Sequence, residues 1–95
     1  MSTPEVLQIT PGVQRLTSEQ IRAARALLRW EQRQLAQAAG VSVETVKRIE
    51  KRPGRVSAQF ATVDAIRRAF EAAGVEFTND DAPGVRLRRC SDDNR

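Results

Sequence analysis

Residues 32–51 read QRQLAQAAGVSVETVKRIEK, and the fold turns on how this stretch divides. Leu35, Ala36 and Ala39 have the spacing of one apolar helical face. Gly40 follows, the residue that enters the left-handed region at least steric cost. Ser42 then offers a side-chain oxygen to the backbone of a new helix, and Val46 and Ile49 resume an apolar face at helical spacing. The stretch therefore reads as a helix over about 31–39, a tight turn, and a helix over about 43–51. Ala36 suits a close helix crossing, Gly40 the sharp turn, and Val46 and Ile49 the seal of the later helix onto its neighbours. Together they predict a helix-turn-helix.

Upstream, Thr17 with Gln20 has the pattern of a capping box, and Leu16 with Ile21 that of a hydrophobic staple. A first helix is expected from there to about Trp30, with Ile21, Ala24, Leu27 and Leu28 as its apolar stripe. Downstream, Arg52-Pro53-Gly54-Arg55 is a turn by composition. A fourth helix is expected over about 58–73, capped by Ser57, with Phe60, Val63, Ile66, Phe70 and Ala73 on one side. Gly74 ends it, and Val75 can reach back to Phe70 as in a Schellman motif. The period then changes. Val75 and Phe77, and later Val85 and Leu87, alternate with Glu76, Arg86 and Arg88 around the turn formers of residues 79–84, which predicts a β-hairpin.

This organises the chain as a flexible N-terminal extension (1–15), a helix-turn-helix unit (16–74), a hairpin (75–89) and a frayed tail (90–95). A lone two-stranded hairpin is marginal in water, so it must pack on the helices or pair with another chain. The hairpin is thus a candidate dimer interface, through its strand edge or its Val and Phe face.

Charge narrows the function. The net charge is +4, yet positions 15–55 hold ten Lys/Arg against four Asp/Glu, while 56–80 hold two against four. A basic segment beside an acidic one suits a domain that turns one face to a polyanion. Ninety-five residues allow one modest core. No run approaches the roughly eighteen apolar residues of a membrane span, and no secretory pattern opens the chain, so a cytoplasmic protein is expected. With no His, no Tyr and a single cysteine, Cys90, neither a nucleophile–base pair nor a metal cluster is in view. An enzyme is not expected, and no cofactor or small-molecule ligand is called for.

Taken as a whole, Leu35, Ala36, Gly40, Val46 and Ile49 resemble the helix-turn-helix of the Cro/CI-type, or XRE-like, family of bacterial and phage regulators. The resemblance spans roughly residues 18–74, and the tail GVRLRR (84–89) is similar to that of small stand-alone members. It implies a mainly α, lambda-repressor-like bundle of four helices with the hairpin appended. It also implies that the third helix enters the major groove of double-stranded DNA. By that resemblance Val43, Glu44 and Arg48 fall at base-reading positions, flanked by Ser42, Thr45 and Lys47. Gln32 and Lys51 fall where relatives hold phosphates, and Arg25 and Glu50 where relatives pair the first helix with the end of the third.

The chemistry of these residue types agrees. Arg48 can donate to O6 and N7 of guanine, Glu44 can accept from N4 of cytosine, and Val43 can touch a thymine methyl. Arg33, Lys51, Arg52 and Arg55 can neutralise phosphates. A purely structural alternative exists for Glu44 and Arg48, an ion pair one helical turn apart. Two departures from the family pattern stand out. Arg29-Trp30-Glu31 replaces a glycine near 29 and a capping Ser, Thr or Asn at 31, and Arg52 replaces a glycine, moving the turn to Pro53-Gly54.

The functional expectation is a homodimeric, sequence-specific DNA-binding transcription regulator, a repressor acting on an inverted repeat. The alternative is an antitoxin- or antiactivator-type module that uses the same fold to bind a protein partner.

Overall fold

A computed structural model of the chain describes residues 16–78 and 83–88. The expectations for residues 1–15, for most of the hairpin loop and for the tail with Cys90 lie outside them. The described chain forms α1 (Ser18–Leu28), α2 (Gln32–Ala39), α3 (Val43–Lys51), α4 (Phe60–Ala72), β1 (Val75–Thr78) and β2 (Gly84–Leu87).

α1 starts where its capping signals lie. The Gln20 N–H donates to Thr17 Oγ1 and the Thr17 N–H to Gln20 Oε1, both at 3.0 Å, while Leu16 and Ile21 are both buried. The helix stops at Leu28, before Trp30, because Arg29 takes a left-handed conformation at φ 59°. Leu27 does not join the apolar stripe. The row Ile21–Ala24–Leu28 faces the core, which leaves Leu27 one position off it and 41% exposed.

The turn between α2 and α3 has the form expected of it. Gly40 sits at φ 73°, the Val41 N–H donates back to Ala36 O at 3.0 Å, and the Thr45 N–H donates to Ser42 Oγ at 3.1 Å. Ala36, 4% exposed, is small enough for the crossing that this turn imposes.

Beyond α3 the chain departs from the expected path. The Ser18 N–H donates to Gly54 O at 2.8 Å, the Val56 N–H donates to Leu16 O at 3.0 Å, and Thr17 and Arg55 form an isolated antiparallel bridge. Gly54 turns the chain at φ 91°, Arg55 and Val56 are held along the entrance to α1, and a helix cannot begin until the chain has turned away. So α4 starts at Phe60 rather than 58, and its cap position is Gln59, not Ser57. Phe60, at the first position of the helix, points away from the core and is 49% exposed. At the other end the Gly74 N–H donates to Glu71 O at 3.0 Å, one of the two bonds of a Schellman motif.

β1 and β2 pair antiparallel, with Val75 opposite Leu87 and Phe77 opposite Val85. This apolar face lies on the protein's own core. Val75 is 2% exposed, and Phe77, Val85 and Leu87 pack against the buried cluster. The opposite face carries Glu76, held by Arg86 at 3.0 Å and Arg88 at 2.9 Å. α2 packs on α3 and α4, α1 on α3 and β2, and α4 on β1. The shared core is Leu16, Ile21, Ala24, Leu35, Ala36, Val46, Ile49, Val63, Ile66, Phe70 and Val75. Trp30 stacks on Phe70 at 5.7 Å, and Phe77 meets the Phe70 ring edge-on at 5.9 Å.

Candidate nucleic-acid interface

α3 is divided lengthwise. Val46, Ile49 and Glu50 face inward and are buried. Glu44, Lys47, Arg48 and Lys51 are exposed, as are Ser42 before the helix and Arg52 after it. A nine-residue helix is too short to be stable alone, so its position is set by what its inner face touches.

Glu50 is the anchor of that face. Its side chain is 4% exposed. Arg25 donates to it twice, Nε to Oε2 at 2.7 Å and Nη2 to Oε1 at 2.8 Å. Gln32 Nε2 donates to Oε1 at 3.1 Å, and Arg22 Nη1 donates to the Glu50 carbonyl at 3.0 Å. Arg25 also extends Nη1 to the Trp30 carbonyl at 3.0 Å. A buried carboxylate held in this way has its charge matched and its oxygens satisfied, which a charge removed from water requires. The network joins α1, the entrance of α2 and the end of α3. Gln32, expected at a phosphate, spends its side chain on Glu50. Arg22 was not singled out by the sequence, because its role depends on three segments converging.

On the outer face, Arg33, Glu44, Lys47, Arg48, Lys51 and Arg52 make no ion pair or side-chain hydrogen bond with another described residue. The ion pair that would have made Glu44 and Arg48 purely structural is not formed. Val43 is only partly open, since it packs against the core cluster. Thr45 and Ser42 share a hydroxyl–hydroxyl bond of 2.9 Å.

Arg48, Thr45 and Arg52 line a groove of about 510 Å³ whose other wall is Arg55, Ser57, Gln59 and Thr62, ahead of and within the first turn of α4. Gln59 and Thr62 of that wall carry no sequence signal beyond their place after a turn. The exit from α3 is fastened by Glu19, whose carboxylate accepts the Gly54 N–H at 3.0 and 3.2 Å. Its own backbone N–H first and that of Gly54 second hold the Glu19 carboxyl below its ordinary value.

A bundle that fixes a short helix from beneath and turns that helix's cationic side outward defines a helix-turn-helix domain. The family model described as a helix-turn-helix domain matches residues 18–78, and the chain belongs to that family. The match supports the resemblance to XRE-like regulators and points to DNA as the partner of a regulator. Domains of this family are typically non-enzymatic. No curated protein matches the chain. No helix among the described residues is long and apolar enough to cross a membrane.

Proposed function

We propose that the chain is a sequence-specific, double-stranded DNA-binding transcription regulator, a repressor that occupies an inverted repeat as a homodimer. Residues 16–74 are the binding unit, and α3 lies in the major groove. The observation that carries this reading is the outer face of α3, which is cationic and unengaged on a helix whose inner face is locked by Glu50. Arg48 and Glu44 are the base readers, with Val43 contributing its open side. Arg33, Lys47, Lys51, Arg52 and Arg55 meet phosphates, with Ser42 and Thr45 beside them. Gln32 acts by aligning the entrance of α2 with the end of α3.

One small domain presents a limited interface, and two-fold symmetry sets half-sites about 34 Å apart. The hairpin offers its strand edge for the contact between copies, its apolar face being committed to the core. Three or four ionic phosphate contacts per subunit give a log–log salt slope of about −5 to −7 for the dimer.

Selection of bound sequences from a random duplex library, repeated with Arg48→Ala, tests the reading. An inverted-repeat motif that loses one base preference in the variant supports it. Salt-sensitive binding with no motif overturns it and turns attention to the antitoxin-type alternative, in which the fold serves a protein partner.

A further inference from the structure

Arg29 is the one non-glycine residue with positive φ among the described residues, at φ 59° and ψ 39°. That conformation brings Cβ against the following carbonyl oxygen, and side chains other than Gly, Asn and Asp seldom adopt it. Nothing among the described residues compensates through the side chain. Arg29 is exposed and has no ion pair or side-chain hydrogen bond with another described residue. The backbone is closed there by the Arg29 N–H on Ala26 O at 3.1 Å and the Trp30 N–H on Arg25 O at 2.9 Å. It is also held from outside, because the Trp30 carbonyl accepts from Arg25, which is gripped by Glu50. The same grip locates Arg29. Trp30 O and Glu50 share one guanidinium, so the residue that follows Arg29 is tied to the helix that carries Lys51. Arg33, four residues on, is likewise exposed and unpaired.

We infer that Arg29 is a further phosphate contact, outside the recognition helix, and that its cation accounts for an arginine in a position whose geometry suits glycine. A guanidinium presents its donors in a fork that matches two phosphate oxygens. Strain kept at a site whose side chain has no partner among the described residues points to a partner beyond them. The inference rests on the DNA-binding reading above. It adds that stability and ionic affinity are opposed at this residue.

The test uses the full chain, a duplex bearing the selected inverted repeat and an unrelated duplex of equal length. Arg29→Gly relieves the strain and removes the charge, while Arg29→Asn tolerates the conformation and also removes the charge. Both variants are expected to bind both duplexes about tenfold more weakly as dimers, with a salt slope shallower by about 1.8. Arg29→Gly should meanwhile melt higher by about 4–8 °C. Parental affinity and slope alongside a raised melting temperature would overturn the inference. So would a loss confined to the selected duplex, which is the mark of base reading, or a loss in Arg29→Gly that Arg29→Asn does not share. A parent chain that shows no motif in the selection removes the DNA-reading proposal itself, before Arg29 is tested.

Discussion

The two connections that flank α2 have the same backbone plan and opposite chemistry. Each sends one residue into the left-handed region and then sets an extended residue at the next helix cap: Arg29 then Glu31 before α2, Gly40 then Ser42 before α3. The second connection is built from residues that choose this geometry unaided. The first is built from residues that do not. It is held instead by Arg25 on the Trp30 carbonyl, by Trp30 stacked on Phe70, and by Gln34 Oε1, which accepts the Glu31 N–H at 2.7 Å. One turn is encoded by the residues within it, the other leans on side chains outside it.

The contrast breaks most sharply at Glu50. Glu50→Ala leaves Arg25 without its carboxylate and should destabilise the fold by about 3 kcal/mol, read by urea denaturation. Because both variants dismantle one network, Arg25→Ala with Glu50→Ala should lose much less than the sum of the single losses. Additive losses would show that the first connection does not depend on the pair. At Gly40 nothing lies within 4 Å of an added Cβ, so Gly40→Ala isolates backbone strain. A loss of about 1–2 kcal/mol is expected there, and a negligible one would mean that the second turn is also imposed from outside.

The caps sharpen the same point. Ser42→Ala should cost about 1 kcal/mol, whereas Glu31→Ser should stabilise by about 0.5 kcal/mol, both read as thermal shifts. The smallest effect concerns acid. Glu19 and Glu76 both sit below their ordinary carboxyl values, Glu19 through its own N–H and that of Gly54, Glu76 through hydrogen bonds from Arg86 and then Arg88. A folded value below the unfolded one means that unfolding takes up a proton. The stabilisation is therefore complete above about pH 4.3, the unperturbed glutamate value, and fades as pH falls through the folded one. Glu19→Gln and Glu76→Gln should each flatten that acid limb.

The same contrast explains what was legible in the sequence. Thr17 with Gln20, and Gly40 with Ser42, act within four residues of themselves, and their signals translate directly into helix limits. Gly74 does so as well. Arg29 is opaque because its conformation follows from contacts made by Arg25, which no local pattern contains. Ser57 misleads in the opposite direction. It is a good cap by type, but the pairing of residues 54–56 with Leu16–Ser18 delays the helix until Phe60, past it. At the candidate site, the outward side of α3 could be read because Val46 and Ile49 fix the inward side. That Gln32 turns to Glu50, and that Arg22 joins it, could not.

Gln20 carries a consequence of its own. Besides its part in the cap, its Nε2 donates to the carbonyls of Thr78 at 3.3 Å and Gly84 at 3.0 Å. A single buried amide thus spans from the first turn of a helix to both strands at the loop end of a hairpin, 58 and 64 residues away. Local fraying of α1 and opening of the hairpin then cannot be independent events. In native-state hydrogen exchange the amides of the first turn of α1 and those of β1 and β2 should exchange with one common opening free energy, as a single cooperative unit. Gln20→Ala should split that unit in two, releasing the hairpin at a lower free energy than the helix bundle it rests on.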